Sequence, residues 1–272
     1  MSKKCLKIIC IAILSLFIFI GCQKTIEPSD ADNPAADAEV TTTAPAVTEA
    51  SASPAPIEDE MEYKYVAFTF DDGPHNEYTK KVVDKLAEYG ARATFFVVGN
   101  RVTEKSAEIV KYTVEHGNEI GMHSYTHTQM FNTCDDKTYE QEVKYTKNVL
   151  ASYAGVSATL LRPPGGLISA ERISSSQYPI IMWSVDSEDW MHKKNETEAQ
   201  ASENIQTIVD NVLSTIDEGY IVLMHYIYEN TYLAFCTIID ELYKDGYKIV
   251  TVSELLGDSI KSGAKFHSVT LN

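Results

Sequence analysis

The chain has 272 residues, 44% of them hydrophobic, and its 39 acidic residues outnumber its 23 basic residues to give a formal net charge of −16. A nucleic-acid-binding protein needs a basic surface against phosphates, so this charge argues against that class of protein. The charge also disfavours polyanionic substrates, whereas the binding of a neutral sugar chain is unaffected.

The N-terminal residues have the pattern of an export signal. Three lysines precede an almost unbroken apolar run, Ile8 to Ile20, which is short and lies at the extreme N-terminus, as in a cleaved signal. The run ends in Gly21-Cys22, which resembles a bacterial lipobox, although Phe19 stands where lipoproteins usually carry Leu. We expect a signal peptide over residues 1–21 and a lipid anchor on Cys22. An ordinary secretion signal and an uncleaved tethering helix are the alternatives, and all three place the rest of the chain outside the cytoplasm.

From Gln23 to Glu62 the composition changes to Pro, Ala, Thr, Ser and acidic residues without a hydrophobic period. Such a segment cannot bury enough apolar surface to offset the loss of chain entropy, which predicts a disordered linker over residues 22–62. Its ten acidic residues and one lysine favour an extended spacer, with a partner-binding tail as the alternative. Residues 63–272 are long enough for one sizeable core and short for two.

The part of the chain after Tyr63 alternates between strand and helix patterns. Runs of β-branched and aromatic residues predict strands, and apolar residues at helical spacing predict helices. We predict strands over residues 65–70, 93–98, 119–122, 159–161, 180–185, 220–224 and 247–252, and helices around 82–89, 109–114, 139–153, 205–216 and 233–243. Repeated β-α units indicate an α/β fold with a mainly parallel sheet or barrel.

Cys134 and Cys236 are the two cysteines of this domain. They could form a disulfide in an oxidising compartment or remain two buried thiols, and the sequence leaves both open. There is no CxxC motif, so a thiolate zinc site is not expected.

Polar residues cluster directly after the predicted strands, and in β/α barrels this end of the strands carries the active site. The cluster consists of Asp71-Asp72, His123, Arg162, Asp186 to Trp190, and His225.

The segment His123 to His127 places two imidazoles four residues apart, a spacing that lets both face one ion. A carboxylate is the natural third ligand, and Asp71 or Asp72 can supply it. Such a set leaves coordination positions open for water and substrate. An isolated HxxxH would more often be chance or capping, but the double aspartate and the later strand-end histidine favour a metal site.

Five short motifs occur in order along the chain: Thr69-Phe70-Asp71-Asp72-Gly73, His123-Ser124-Tyr125-Thr126-His127, Arg162-Pro163-Pro164-Gly165-Gly166, Asp186-Ser187-Glu188-Asp189-Trp190 and Leu223-Met224-His225. Together they resemble the five motifs of the NodB-type polysaccharide deacetylases, carbohydrate esterase family 4. The resemblance covers Tyr65 to Leu256 and implies a distorted, incomplete (β/α)7-8 barrel.

The resemblance also implies a set of roles. One divalent metal ion, with Zn²⁺ expected, would be held by Asp72, His123 and His127, with Asp71 as the general base. The other implied roles are orientation of the base by Arg162, proton donation by His225, tuning of that histidine by Asp189, oxyanion stabilisation by the Gly165 backbone N–H, and an acetyl pocket lined by Trp190 and Leu223. Two departures concern substrate specificity: many relatives carry Tyr at the position of Gly165, and often an acidic residue at that of Tyr226.

The expected function is removal of N-acetyl groups from a cell-wall polysaccharide, with peptidoglycan as the expected substrate, at the extracellular face of the membrane. The alternatives are the same chemistry on chitin oligomers or O-acetylxylan, and a glycan-binding surface lipoprotein without catalysis. A Ser-His-Asp esterase is disfavoured because no G-x-S-x-G elbow occurs. A retaining glycosidase using Asp71 and Glu188 would leave the histidines unexplained.

Overall fold

The computed structural model describes residues 63–194 and 197–270. The predicted signal peptide, Cys22 and the linker over residues 22–62 lie outside the described residues. Within the described ranges, none of the helices combines the length and apolar character needed to cross a membrane.

The described chain contains eight strands and seven α-helices, which alternate except where α4 follows α3 and β5 follows β4. The strands are β1 (Lys64–Gly73), β2 (Thr94–Val97), β3 (Glu119–Met122), β4 (Ile180–Ile181), β5 (Val185–Asp186), β6 (Ile221–His225), β7 (Tyr247–Val250) and β8 (Lys265–Phe266). The helices are α1 (Tyr78–Glu88), α2 (Ala107–Glu115), α3 (Asp136–Val149), α4 (Ala170–Ser175), α5 (Glu198–Leu213), α6 (Glu229–Lys244) and α7 (Val252–Leu256).

The main sheet is parallel and has the strand order β3-β2-β1-β6-β5, with β7 paired to the first half of β1. Beyond β3 the order continues through a single residue, Leu161, which bridges both Met122 and Ile180. Ile180 belongs to β4, which pairs with β8. The strands therefore follow an incomplete barrel, which confirms the predicted α/β fold.

The core lies on both faces of β1, where Val66 to Phe70 are all inaccessible to solvent. A continuous buried run of this kind is typical of a central parallel strand covered by helices. Phe70 stacks on Phe95 of β2 with ring centroids 5.3 Å apart, and the ring of Phe235 from α6 meets its edge at 5.1 Å. This packing fixes the last part of β1, which carries Asp71 and Asp72.

Two predicted strands were only partly correct. The segment 159–161 makes single-residue bridges at Leu161, because two prolines follow Arg162 and proline has no N–H for a ladder. The predicted strand 180–185 is split into β4 and β5, and within it the carbonyls of Ile181 and Met182 accept hydrogen bonds from the Arg162 side chain.

Other boundaries also differ from the predictions. Asp71, Asp72 and His225 belong to the last residues of their strands and do not follow them. The short elements α4, α7 and β8 were not predicted, since their two to six residues carry too little periodicity. Cys134 and Cys236 are both free thiols in the structure.

Candidate active site

The carboxyl ends of neighbouring strands bring the predicted polar residues to one edge of the sheet. Asp71 of β1 is paired with His225 of β6 in the parallel ladder. His123 directly follows β3, and Arg162 follows the bridging residue Leu161. These side chains meet because adjacent parallel strands end at the same edge.

Asp72, His123 and His127 form a cluster that fits a divalent ion. One ligand atom from each residue lies within 4.8 Å of the other two. Nε2 of His127 lies 3.0 Å from Asp72 Oδ1, and Nε2 of His123 lies 3.6 Å from the same oxygen. This oxygen is buried yet accepts no hydrogen bond, because the contact with His127 lacks hydrogen-bond geometry. A cation would satisfy it, and one carboxylate with two imidazoles is a common ligand set for zinc.

The orientation of His123 is set from behind the cluster. Its Nδ1 lies 2.8 Å from the carbonyl oxygen of Arg162, which can only accept, so Nδ1 carries the proton. Nε2 is therefore left with a lone pair directed towards Asp72. Burial lowers the pKa of His123 and keeps the ring neutral. Histidines that bind metals are commonly oriented by such a bond to the second nitrogen.

The charges of the cluster offset the cost of burying it. Burial raises the pKa of Asp72, but the close approach of His127 outweighs this effect and holds the pKa well below its ordinary value of 3.8. Asp72 in turn raises the pKa of His127. The Asp72 carboxylate is therefore ionised at neutral pH, as metal binding requires.

Backbone strain is concentrated in the same cluster. Among the described residues, four that are not glycine have a positive φ, and three of them are Asp72 at 76°, Ser124 at 59° and His127 at 56°. The fourth is Glu188 at 56°, in the segment before Asp189. Such conformations persist only where the surroundings hold them, and they are frequent at functional sites.

Arg162 is fully buried and ties Asp71 to the sheet. Its Nη1 donates to Asp71 Oδ1 at 2.9 Å and to Thr69 Oγ1 at 2.6 Å. The remaining guanidinium donors reach the carbonyl oxygens of Ile181 at 3.0 Å and Met182 at 2.8 Å. Oδ1 of Asp71 is thus fixed by Arg162. Oδ2 lies 3.6 Å from Nε2 of His123, beside the cluster of Asp72, His123 and His127.

His225 and Asp189 form a second hydrogen-bonded pair. Nδ1 of His225 lies 2.7 Å from Asp189 Oδ1, and the backbone N–H of His225 donates to Asp189 Oδ2 at 2.7 Å. The hydroxyl of Thr231, in the first turn of α6, also donates to Oδ2. Burial lowers the pKa of His225, but the charge of Asp189 and its hydrogen bond outweigh burial and raise it from 6.5 to about 9. The site therefore holds a protonated imidazole beside the buried carboxylate of Asp189.

The predicted substrate contacts differ in their surroundings. Leu223 is buried in β6, whereas Trp190 is 48% exposed at the rim. Gly165 has a φ of 60°, and a Cβ there would meet only Gln129 Oε1 at 3.7 Å. A side chain would therefore have room, and it is the left-handed backbone that favours glycine. The roles of these three residues stay predictions.

Sequence reasoning missed the residues that support the site from behind. Thr69 and Thr231 donate hydrogen bonds to groups of the site, and Arg101 Nη1 donates to the carbonyl oxygen of Asp72. Glu142 of α3 accepts hydrogen bonds from the turn between the two histidines. No sequence signal marked Glu142, since a glutamate on an amphipathic helix is ordinarily a solvated residue.

Comparison with known proteins gives a consistent result. A family model described as polysaccharide deacetylase matches residues 58–178. The peptidoglycan-N-acetylglucosamine deacetylase PgdA of Listeria monocytogenes is 34% identical over 207 residues, which cover 76% of this chain and 42% of the relative. The chain thus spans less than half the length of that relative.

Two further matches cover most of the compared protein. A peptidoglycan-N-acetylglucosamine deacetylase of Bacillus cereus is 36% identical over 201 residues, covering 71% of this chain and 88% of the relative. The solved structure of a family 4 acetyl xylan esterase from Clostridium thermocellum in complex with a cobalt ion matches with 30% identity and a TM-score of 0.68, covering 76% of this chain and 100% of that chain. The fold is that of the NodB-type enzymes of carbohydrate esterase family 4, and the chain belongs to the polysaccharide deacetylase family.

Proposed function

We propose that the chain is a metal-dependent hydrolase that removes N-acetyl groups from a cell-wall polysaccharide, with peptidoglycan as its substrate. The observation that carries this proposal is the cluster of Asp72, His123 and His127 beside Asp71, with the His225 pair on the neighbouring strand. The Listeria and Bacillus relatives, which are named for peptidoglycan, support the choice of polymer.

Asp72, His123 and His127 would hold the ion, with Zn²⁺ as our choice because of the two imidazole ligands. A bound divalent ion supplies Lewis-acid polarisation of the acetyl carbonyl and lowers the pKa of water at the site. Three protein ligands leave room for both water and substrate.

Asp71 acts as the general base in this proposal. It accepts a proton from the water whose oxygen attacks the acetyl carbon. Nη1 of Arg162 lies 2.9 Å from Oδ1 of Asp71 and holds the carboxylate in one orientation. This contact disfavours the use of Asp71 as a metal ligand. Base and ligand therefore come from adjacent residues of one strand end.

His225 acts as the general acid. Its imidazolium gives a proton to the amine nitrogen as the bond from that nitrogen to the carbonyl carbon breaks, because an unprotonated amine leaves poorly. Asp189 keeps the imidazole charged and oriented through the 2.7 Å bond to Nδ1. Acetate and the free amino sugar are the products.

The remaining contacts are assigned to substrate binding. The backbone N–H of Gly165 would stabilise the oxyanion, and Trp190 and Leu223 would form apolar walls for the acetyl group. The half-exposed ring of Trp190 can also contact a sugar ring at the rim.

The proposed cellular location is the outer face of the membrane. It rests on the sequence alone, namely the apolar run to Ile20 and the lipobox-like Gly21-Cys22. An anchored enzyme with an extended linker reaches the polymer next to the membrane.

Deacetylation of O-acetylxylan is the second candidate. It is favoured by the match to the acetyl xylan esterase of Clostridium thermocellum, and the same base, acid and metal would serve an ester. The two candidates differ in the polymer and in the leaving group.

Acetate release from peptidoglycan, chitooligosaccharide and acetylxylan, measured separately with Zn²⁺-loaded protein, tests the proposal. We expect the highest turnover on peptidoglycan, and a preference for acetylxylan would establish the second candidate. The control is the triple variant Asp72→Ala, His123→Ala, His127→Ala, which should retain no stoichiometric metal. Stoichiometric metal in that variant would refute the ligand assignment.

A further inference from the structure

Glu142 is a buried carboxylate that the proposed chemistry does not use. It lies in α3 with 8% exposure. Its Oε2 accepts the backbone N–H groups of Tyr125 and Thr126, both at 2.8 Å, and its Oε1 accepts the Thr126 hydroxyl at 2.8 Å. All three donors belong to the turn that joins the two histidines of the cluster.

This turn adopts a backbone that needs support. Ser124 and His127 both have φ values in the left-handed region, at 59° and 56°. Non-glycine residues adopt this region rarely, and surrounding structure must hold them there. Ser124 contributes within the turn, since its Oγ accepts the N–H of His127 at 3.0 Å.

From the other side, the 3₁₀ helix Gly99–Arg101, which follows β2, binds the same turn. The N–H of Gly99 donates to the Ser124 carbonyl at 2.9 Å, and that of Asn100 donates to the Tyr125 carbonyl at 2.8 Å. The carbonyl groups of the turn therefore bond to one element, and the N–H groups of Tyr125 and Thr126 bond to Glu142 of another. Without Glu142 these two N–H groups would lose their partner.

The same contacts explain how a carboxylate can be buried at position 142. Among the ion pairs of the described residues, none involves Glu142, so the three donors of the turn compensate its burial. Burying a carboxylate is costly unless hydrogen bonds satisfy it. Packing of α3 alone would be served by an apolar residue at this position.

We propose that Glu142 is a positioning residue for the metal site, which fixes the turn so that both imidazoles converge on Asp72. The inference rests on the proposed metal site. Groups that orient metal ligands typically change the metal affinity by ~10–100-fold when they are removed. The affinity of the cluster therefore depends on a helix that contributes no ligand.

Two substitutions separate the reach of the side chain from its charge. Glu142→Asp keeps the charge but withdraws the carboxylate by about 1.5 Å, the length of one carbon–carbon bond. Glu142→Gln keeps the reach: its carbonyl can accept both N–H groups, and its NH₂ can donate to the Thr126 hydroxyl, which also accepts. Glu140→Asp, on an exposed residue of the same helix, is the matched control.

The experiment titrates the full chain and each variant with Co²⁺ and records the affinity and the visible absorption spectrum, which reports the coordination geometry. Amide hydrogen exchange of Tyr125 and Thr126 is measured in parallel, with a chelator and no metal. For Glu142→Asp we expect Co²⁺ affinity lower by about 10–100-fold, an altered spectrum and faster exchange of both amides. Glu142→Gln and the control should stay close to the parent protein.

Unchanged Co²⁺ affinity and unchanged amide exchange in Glu142→Asp would overturn the inference. A loss in Glu142→Gln with none in Glu142→Asp would assign the effect to charge and overturn the positioning role, whereas an equal loss in both variants would show that the turn needs both the reach and the charge of the side chain. If the parent protein binds no Co²⁺, the proposed metal site fails, whereas the exchange rates still decide whether Glu142 holds the turn.

Discussion

Asp71 and Asp72 are adjacent and chemically identical, yet their surroundings differ in a way that fits the two proposed roles. Asp71 receives a hydrogen bond from the buried Arg162, whereas Oδ1 of Asp72 is buried beside two imidazoles and accepts no hydrogen bond. A carboxylate fixed by a guanidinium is available to a water molecule, and an unsatisfied one is available to a cation. Both side chains reach His123 because the backbone leaves regular strand geometry at Asp72, where φ is 76°.

The division between these two aspartates can be tested with Asp71→Asn. We expect the variant to keep its metal, because none of the three proposed ligands changes. Its kcat should fall by about 10²–10⁴-fold, the usual contribution of a general base. Metal content by atomic absorption and acetate release measured on the same sample provide the check, and substantial turnover would reassign the base.

A second test at the residue scale concerns the pH profile. Asp189 raises the pKa of His225 against the effect of burial, so Asp189→Asn should lower it. The acid form needed for catalysis would then be lost at a lower pH. We expect the alkaline limb of kcat/KM to move down by roughly 1–3 pH units, the usual effect of one close charge. An unmoved alkaline limb would exclude His225 as the group that titrates there.

At the scale of elements, the ends of β1 and β6 are locked together by close packing. A Cβ on Gly73 would lie 1.9 Å from Cζ of Tyr226, which follows His225 and is 1% exposed. The ring cannot move aside, since Phe70 and Phe95 lie against it with centroids 6.3 and 5.1 Å away. The glycine after Asp71-Asp72 and the tyrosine after His225 therefore depend on each other.

This packing predicts that Gly73→Ala destabilises the domain by roughly 1–3 kcal/mol, the usual cost of overpacking. In a Tyr226→Ala background the same substitution should cost much less, because the ring is gone. Urea unfolding of the four proteins of this double-mutant cycle, with a chelator present, measures the coupling. Equal costs of Gly73→Ala in both backgrounds would mean that the contact does not limit residue 73.

Among the elements, α3 and α6 have more than a covering role. Glu142 of α3 accepts hydrogen bonds from the turn between His123 and His127, and Thr231 of α6 donates a hydrogen bond to Asp189. Each helix thus supports one part of the site: α3 the turn that carries the two proposed histidine ligands, and α6 the proposed acid pair. Precise sites commonly need rigid helices or strands whose side chains hold the functional residues in place through hydrogen bonds.

At the scale of the whole molecule, the proposed anchor determines where the enzyme works. If Cys22 carries lipid, high-salt washing should leave the parent chain with the membrane fraction. The Cys22→Ser variant should be released into the medium or the salt wash, because its signal would no longer be processed as that of a lipoprotein. Fractionation and immunoblotting measure this, and membrane retention of the variant would favour an uncleaved N-terminal helix.

Much of the fold followed from local patterns. The five helices of nine residues or more were anticipated because apolar periodicity over many residues is a strong signal, and the five strands of four residues or more because they are compact apolar runs between turn signals. Short elements such as β8 and α4, and the splitting of the segment 180–185, depend on contacts that are distant in sequence. Arg162 is an example, because its side chain donates hydrogen bonds to the carbonyl oxygens of Ile181 and Met182, which are 19 and 20 residues away in the sequence.

The sequence by itself determined which residue types form the site, because Asp71, Asp72, His123, His127 and His225 stand in recognisable motifs at the ends of strands. Only the tertiary structure decided which groups orient them. Glu142 and Thr231 contribute through distance and direction, and these arise when helices pack on the sheet. Linear order does not contain that information, since a hydrogen bond over 16 or 42 residues exists only once both ends have been brought together by the fold.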